Sequence, residues 1–153
     1  MKAKQYILAI FLSFFVLTSI YVMNSPSVLG QASDWTGDWL KEANGYGRAM
    51  DAYVGSSDKA MAVYIYVGWC PYCRKFERDI LASPQVMEFM KDKIKVRVNP
   101  EDGERENAIV DQYQIRGFPS FFIHSAKTRT IRQIPTNITP EQFIQIFQKA
   151  SDS

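Results

Sequence analysis

A continuous run of apolar residues, 60–67, constrains the fold of this chain more than any other part of its sequence. The run reads Ala-Met-Ala-Val-Tyr-Ile-Tyr-Val, with β-branched and aromatic side chains and no polar interruption. Such a run is typical of a strand that is covered on both faces, because a strand with one solvated face would alternate apolar and polar residues. It predicts the central strand of a layered α/β sheet.

The other predicted elements supply the neighbours of this strand. Helical patterns follow it over about 70–81 and from Ser83-Pro84, and an alternating strand pattern covers 93–98. A strand, a helical crossover and a second strand place the two strands parallel. Further patterns predict a helix over 104–114, a strand over 120–124, a hairpin into a strand over 130–134, and a helix that begins with a Thr139/Gln142 capping box and ends near Ala150. The sequence thus predicts an α/β fold of βαβαββα order, with a mixed central sheet and helices on both faces.

The first thirty residues differ in composition from the rest. Lys2 and Lys4 form a short basic start, and the run from Tyr6 to Met23 is apolar and without charge. This arrangement predicts an export signal, and the run suits either a cleaved signal peptide or a retained membrane anchor. Its basic end stays in the cytoplasm, so the main domain is expected in the periplasm or another extracytoplasmic space, soluble or anchored. We divide the chain into 1–30, signal or anchor with linker; 31–59, a partly helical N-terminal extension; and 60–153, the main domain.

Charge and cysteine content exclude several classes of function. The chain of 153 residues carries 18 basic and 16 acidic side chains, and without Lys2 and Lys4 the two numbers are equal. This balance argues against a nucleic-acid binder. Two cysteines and one histidine cannot supply the four ligands of a closed zinc site from one chain. We expect no metal, no cofactor and no nucleic-acid partner, and we expect the two cysteines to act as a pair.

Cys70 and Cys73 follow the predicted central strand and open a helix, which puts them at the carboxyl end of the sheet, where α/β folds place their chemistry. The two residues between them let the sulfurs form a small ring that can close and reopen. Backbone N–H groups and the helix dipole favour a thiolate on Cys70, the more exposed of the two, and Cys73 is the natural resolving thiol. A structural disulfide is a weaker interpretation, because so short a loop stabilises little by chain entropy, and a metal site needs a second chain.

Two segments resemble a known family. The turn from Gly68 to Cys73 resembles the active-site turn of thioredoxin-fold thiol:disulfide oxidoreductases, and Tyr113 to Ser120 resembles the segment before the third core strand of that family. The resemblance covers about 60–150 and implies a thioredoxin-like fold. It also implies that Pro119 is a cis-proline against the active-site disulfide and that the Phe118 backbone pairs with a substrate as an added strand. Large aromatics that flank an exposed thiol shape a contact surface, which completes the predicted substrate-binding set with Trp69, Pro71 and Tyr72.

The sequence departs from the family at positions that matter for proton transfer. Typical thioredoxins carry a buried acid where this chain has Tyr64, and a lysine on the next strand where it has Arg97. Glu77, one turn beyond Cys73, is a candidate substitute for the acid, against the plainer interpretation of a solvated helix residue. Arg97 is expected to be solvated or ion-paired. His124 is expected to lie at the surface or to be hydrogen-bonded, without a role in catalysis.

These observations predict an exported thiol:disulfide oxidoreductase that exchanges the Cys70–Cys73 pair with client proteins through a mixed disulfide on Cys70. The expected partners are client proteins with cysteines or disulfides and a membrane or soluble redox partner that recycles the pair. Contact with the membrane is expected only through residues 6–23, if these are uncleaved. Two alternatives stay open. One is a redox-responsive binding module; the other is a glutaredoxin-like activity, which the Pro71-Tyr72 dipeptide favours and the absence of a Gly-Gly element after the hairpin disfavours.

Overall fold

A mixed sheet lies at the centre of the structure. The computed structural model describes residues 34–41 and 44–152. Within them the strands are β1 (Met61–Ile65), β2 (Ile94–Val98), β3 (Ser120–His124) and β4 (Ile131–Ile134), in the spatial order β2-β1-β3-β4. The β1 strand pairs parallel with β2 and antiparallel with β3, which pairs antiparallel with β4. The predicted central strand, parallel crossover and hairpin are therefore confirmed.

Among the described residues, five α-helices flank this sheet. They are α1 (Gly45–Val54), α2 (Pro71–Phe76), α3 (Pro84–Met90), α4 (Glu104–Gln112) and α5 (Pro140–Asp152). The α2 helix continues directly into a π-helical turn, Glu77–Leu81, so the helix predicted over 70–81 is present but changes its hydrogen-bonding pattern halfway. The predicted capping box opens α5: the Gln142 N–H donates to Thr139 Oγ1 at 3.3 Å, and the Thr139 N–H donates to Gln142 Oε1 at 2.9 Å.

The sheet carries a core on each face, because successive residues of β1 point to opposite sides. Met61, Val63 and Ile65 pack towards α1 and α4, whereas Ala62 and Tyr64 pack towards α2, α3 and α5. All five are fully buried, as the unbroken run over 60–67 predicts. The second face holds an aromatic cluster, and helices on both faces of the sheet are confirmed. The cluster consists of Trp39, Tyr64, Phe76, Phe121, Phe143 and Phe147.

Described residues of the N-terminal extension, 34–41 and 44–59, contribute to the core beside this sheet, and Leu40 extends the sheet. Leu40 forms an isolated parallel bridge with β2: its N–H donates to a β2 carbonyl at 3.0 Å, and its carbonyl accepts a β2 N–H at 2.9 Å. The rings of Trp35 and Trp39 meet the Tyr64 ring edge-on, with centroids 6.0 and 6.4 Å away. The sequence predicts only a partly helical extension here. It does not predict these contacts, because they join segments far apart in the chain.

The predicted leader lies outside the described residues. This applies to the whole of 1–30, including the apolar run over 6–23, so the division at residue 30 and the domain boundary at residue 60 stay predictions. In the part of the chain that the structure describes, no helix is long and apolar enough to cross a bilayer.

A hydrogen-bonded cluster covers His124, at the end of β3 that is remote from the cysteines. Gln112 Nε2 donates to the Tyr46 hydroxyl at 3.3 Å, the Tyr46 and Tyr113 hydroxyls are 3.0 Å apart, and the Tyr113 hydroxyl contacts His124 Nε2. Each hydroxyl has one proton to donate, so a continuous direction from Gln112 makes His124 Nε2 the final acceptor. Burial lowers the pKa of His124 to about 4, which keeps the ring neutral. The predicted hydrogen-bonded role of His124 is confirmed.

This cluster predicts how stability depends on pH. Between about pH 6.5 and about pH 4 the unfolded chain protonates its histidine while the folded chain does not, so the free energy of unfolding should fall as the pH is lowered through this window. The difference between the two pKa values corresponds to about 3 kcal/mol. His124→Gln keeps a hydrogen-bond acceptor but cannot titrate, so its stability should depend less on pH.

Urea unfolding of both proteins at about pH 7 and about pH 4.5 measures this difference. The carboxylates that titrate in acid, such as Asp79, whose pKa hydrogen bonds from Arg78 and Lys75 lower to about 2, are common to both proteins and cancel. An equal loss of stability in the two proteins would show that His124 is not held neutral by the fold.

Candidate active site

Cys70 occupies the N-cap position of α2. Its N–H donates to the Val67 carbonyl at 3.2 Å, and its φ of −77° and ψ of 114° give the extended backbone that an N-cap adopts. The side chain accepts the Cys73 N–H in the first turn of the helix, with 3.1 Å between Cys73 N and Cys70 Sγ. Pro71 follows at the first helical position, where the missing N–H costs no hydrogen bond. The local sequence therefore points a backbone donor at the first sulfur.

Both cysteines are free thiols, and both are buried. Cys70 is 4% exposed and Cys73 is 1% exposed. They pack with Val67 and contact the partly buried Tyr66 and Phe118. Cys70 is the more exposed of the two, as predicted, but the expectation of an exposed thiol is wrong. An N-cap sulfur at this position lies beneath the neighbouring loop and does not project into solvent.

Cys73 holds its proton strongly. Burial, followed by the hydrogen bond with Cys70, raises the pKa of Cys73 to about 12, although a hydrogen bond from the Val67 backbone opposes the rise. At neutral pH Cys73 is therefore a thiol. The Cys70 sulfur accepts the Cys73 backbone N–H.

The side chain of Tyr64 extends from β1 towards α2 and the turn that continues it. Its hydroxyl donates to Glu77 Oε1 at 3.0 Å. Burial raises the pKa of Tyr64, so the phenol is neutral. Glu77 is half-buried, and its carboxylate accepts the hydrogen bond from the Tyr64 hydroxyl. The interpretation of Glu77 as a solvated helix residue is therefore wrong.

The sequence points to Glu77, whereas Tyr64 stands out in it only because it replaces the buried acid of typical thioredoxins. Two local signals could have found the pair. Alternation along β1 puts Tyr64 on the α2 side of the sheet, and a spacing of four residues puts Cys73 and Glu77 on one face of the helix.

Two exposed aromatic rings border the pair. Trp69 is 67% exposed and Tyr72 is 72% exposed. Trp69 Nε1 donates a hydrogen bond to Glu101 Oε1 at 2.8 Å, which holds the ring in place. In the turn that precedes Trp69, the Gly68 carbonyl accepts a hydrogen bond from an Arg74 guanidinium nitrogen at 3.0 Å. Sequence reasoning missed Glu101, because its contact with Trp69 spans 32 residues and follows no local pattern.

The loop before β3 passes over Cys70. The Cys70 sulfur lies 3.6 Å from the Phe118 carbonyl oxygen, which accepts its proton. The peptide bond between Phe118 and Pro119 is cis. Ser120 Oγ donates to the Gly117 carbonyl at 2.8 Å and braces the loop. The two distant segments singled out in the sequence, the cysteine turn and the loop with Pro119, therefore meet in space.

A groove of about 390 Å³ lies next to this meeting point. Tyr72 and Phe76 of α2 line one side, and Phe118, Pro119 and Ile138 line the other. The groove offers apolar surface together with loop backbone, which suits an extended polypeptide. Among the described residues, no group of three or more His, Cys, Asp and Glu side chains is arranged to hold a metal ion.

Arg97 lies between two aromatic rings behind the site. The carbon at the centre of its guanidinium group is 5.0 Å from the Trp35 ring centroid and 4.6 Å from that of Tyr66, which in turn stacks on Tyr64 at 5.3 Å. Its Nε is buried and has no hydrogen-bond partner among the described residues. The expectation of a solvated or ion-paired side chain is therefore corrected: Arg97 is held by cation–π contacts with Trp35 and Tyr66.

The fold around this dithiol, which opens a helix directly after the central strand of the sheet, is thioredoxin-like. A model of the family described as Thioredoxin-like domain matches residues 46–151, well over half of the chain. The chain therefore belongs to this family.

Similar proteins include one that is named for thiol:disulfide interchange. The thiol:disulfide interchange protein DsbD of Haemophilus influenzae is 25% identical over 69 residues, which are 44% of this chain and 12% of DsbD. The match thus spans about an eighth of the length of that relative.

Among solved structures, the oxidised C-terminal domain of Neisseria meningitidis DsbD has a TM-score of 0.62 at 17% identity and covers 73% of this chain and 98% of that one. The DsbH oxidoreductase also has a TM-score of 0.62, at 16% identity, and covers 86% of this chain and 98% of that one. A thioredoxin from Thermus thermophilus has a TM-score of 0.57 at 18% identity and covers 73% of this chain and 86% of that one. These likenesses show the fold.

The different environments of the two sulfurs predict unequal reactivity. At pH 7 a thiol with a pKa of about 12 is one part thiolate in about 10⁵, so iodoacetamide should modify Cys70 much faster than Cys73. In Cys70→Ser the Cys73 thiol stays buried, and its modification should accelerate about tenfold per pH unit from about pH 7 to about pH 9. Time courses followed by mass spectrometry measure both rates. Equal modification of the two cysteines at neutral pH would contradict the proton assignment.

Proposed function

We propose that this chain is an exported thiol:disulfide oxidoreductase in which Cys70 forms a mixed disulfide with a client protein and Cys73 resolves it. One observation carries the assignment of roles: Cys70 Sγ accepts the Cys73 backbone N–H at 3.1 Å, while Cys73 is more deeply buried and protonated. The first sulfur faces a backbone N–H donor at the start of the helix and is the more exposed of the two. The second can react only with what is already bound to the first.

The exchange proceeds in two balanced steps. The Cys70 thiolate attacks a client disulfide, one client sulfur joins Cys70, and the other leaves as a thiolate. Cys73 then loses its proton and attacks Cys70 Sγ, the second client thiolate leaves, and the enzyme holds a Cys70–Cys73 disulfide. The client gains two electrons and the enzyme loses two. The same steps in reverse oxidise a client dithiol.

The proposed contact surface for clients lies around the Cys70 sulfur. Trp69 and Tyr72 provide exposed aromatic area, Pro71 fixes the turn between them, and the Phe118 backbone pairs with an extended client segment beside Pro119. The support for this arrangement is the groove that Tyr72, Phe118 and Pro119 line, together with the contact between Phe118 and Cys70.

The proposed cycle requires export of the chain and recycling of its cysteine pair. The basic start and the apolar run over 6–23 support delivery of the remainder outside the cytoplasm, as a soluble or an anchored protein. The clients are proteins with cysteines or disulfides, and a membrane or soluble redox partner restores the pair after each cycle. The relation to a protein named for thiol:disulfide interchange supports partners of this kind.

The two cysteines should differ in what they trap. Cys73→Ser removes the resolving thiol, so we expect covalent mixed disulfides with clients to accumulate, whereas Cys70→Ser should form none. Non-reducing electrophoresis after acid quenching detects them. Ser125→Cys is the control for adventitious thiol exchange. This variant keeps both native cysteines and adds a third thiol at a buried site. Equal trapping by Cys73→Ser and Cys70→Ser would refute the division of roles.

Turnover separates the enzyme from a binding module with the same fold. The wild-type domain should reduce insulin repeatedly when an artificial reductant regenerates the pair, and Cys70→Ser should be inactive. A redox-responsive binding module would consume one equivalent and stop. Glutathione used as the reductant in a parallel reaction tests the glutaredoxin-like alternative, which requires turnover with glutathione alone.

A reporter fused after Ser153 tests the location. We expect a reporter that folds only outside the cytoplasm to be active on the full chain and inactive when residues 1–30 are deleted, because the export signal lies there. Immunoblots show that both fusions are made in similar amounts. Activity of a reporter that works only in the cytoplasm, with the full chain, would refute export.

A further inference from the structure

We propose that a cleft beside Arg116 is a subsite for an acidic side chain of the client, so that preferred clients carry Asp or Glu close to the cysteine that Cys70 attacks. The proposal rests on the proposed function, because it concerns which polypeptides the Cys70–Cys73 pair selects. The subsite gives a charge preference to a contact surface that is otherwise aromatic and apolar.

This second cleft, of about 500 Å³, borders the loop that passes over Cys70. Pro119 lines both this cleft and the groove that Tyr72 and Phe76 line, so the two lie next to each other along the loop. We call the second one the polar cleft. Besides Pro119, its lining consists of Tyr113, Gln114, Arg116, Gly117, Ser120 and Gln133.

The polar cleft carries a positive charge that no neighbour compensates. Arg116 is exposed, and within the described part of the chain it takes part in no ion pair. The described residues that line the cleft include no Asp or Glu, while the side-chain amides of Gln114 and Gln133 add N–H donors. A guanidinium group pairs best with a carboxylate, whose two oxygens match its fork of N–H groups. An acidic side chain is therefore the chemical complement of this cleft.

The charged groups of the neighbouring groove compensate each other. Lys75 and Asp79 both line that groove, and Lys75 Nζ lies 2.6 Å from Asp79 Oδ2. Phe76, Ile80 and Ile138 supply apolar surface beside this ion pair. The groove therefore suits an apolar side chain, and selection by charge falls to the polar cleft.

The loop that carries Arg116 is held at both ends. The N–H groups of Gln114 and Ile115 donate to carbonyls of the last turn of α4 at 3.1 and 2.9 Å, with Gln114 in the left-handed region at a φ of 52°. These two bonds form a Schellman motif. At the other end, Ser120 Oγ donates to a loop carbonyl at 2.8 Å and accepts from Gln133 Nε2 at 3.3 Å. The backbone of Arg116 is thus positioned before a client arrives, so little free energy is lost in ordering the loop.

An extended client segment reaches the groove and the polar cleft at the same time. In the proposed contact this segment pairs with the Phe118 backbone beside Pro119, and side chains of an extended segment point alternately to opposite sides. Because Pro119 borders both the groove and the polar cleft, neighbouring side chains of the client can enter the two. The preferred client is thus an extended polypeptide with an apolar and an acidic side chain within a few residues of its reactive cysteine.

Cysteine peptides activated with thionitrobenzoate test this preference. The Cys70 thiolate attacks the peptide sulfur, a disulfide forms between the peptide and Cys70, and thionitrobenzoate leaves as a thiolate that stopped-flow absorbance records. The peptide set places a single Glu in turn at each position close to the cysteine, on both sides, and each peptide has a Gln counterpart. Rates of the same peptides with free dithiothreitol correct for the effect of the Glu charge on the disulfide itself.

The wild type should react about two- to fivefold faster with at least one Glu peptide than with its Gln counterpart at low ionic strength, which is the range of an exposed ion pair. Arg116→Gln should lose this difference, and Arg116→Lys should keep part of it, because the charge remains without the fork of donors. The control Arg132→Gln should keep it in full. Arg132 is also exposed, and as the neighbour of Gln133 on β4 it points to the opposite face of the sheet.

Three results would overturn the subsite. The first is equal corrected rates with every Glu peptide and its Gln counterpart in the wild type, and the second is a preference that Arg116→Gln retains. The third is a preference that Arg132→Gln loses to the same extent, which assigns it to the overall charge of the domain. Failure of the proposed function looks different: the wild type would release thionitrobenzoate from every peptide no faster than Cys70→Ser, whatever the charge of the peptide.

Discussion

The hydrogen bonding of β1 on both sides, with both of its faces covered, is the constraint on which the rest of the structure depends. Every residue of β1 pairs with β2 on one edge and with β3 on the other. The pairing continues past the strand, where the Tyr66 N–H donates to the Val98 carbonyl at 3.0 Å. The chain thus leaves the sheet from a fixed point, and four residues later Cys70 caps α2. The position of the reactive sulfur is set by the sheet and not by a mobile loop.

Features encoded in short stretches of sequence could be predicted. The apolar run over 60–67 predicts the central strand, and the Thr139/Gln142 spacing predicts the start of α5. The Cys-x-x-Cys spacing predicts that both sulfurs lie on the first turn of a helix. Contacts between distant segments could not. The bridge from Leu40 to β2 and the hydrogen bond from Trp69 to Glu101 depend on which loops the topology brings together, and no local period carries that information.

Burial explains where the predictions for single side chains failed. From the sequence we expect the side chains of Cys70 and Arg97 to be exposed to solvent, because reactive thiols and arginines usually are. In the structure the Cys70 sulfur lies under the loop of Phe118, and Arg97 lies between the rings of Trp35 and Tyr66. In such surroundings an electrostatic contact is stronger than in water, so one backbone N–H influences the Cys70 sulfur strongly.

Tyr64 belongs to the core and also forms a hydrogen bond beside the site. Its ring contacts Trp35, Trp39, Phe76 and Phe121, while its hydroxyl donates to Glu77, one turn beyond Cys73. Loss of the ring would open a cavity between the sheet and α2 and would move the helix that carries both cysteines. Loss of the oxygen alone leaves the packing in place. The packing of the Tyr64 ring and the hydrogen bond of its hydroxyl to Glu77 are therefore separable by removal of the oxygen alone.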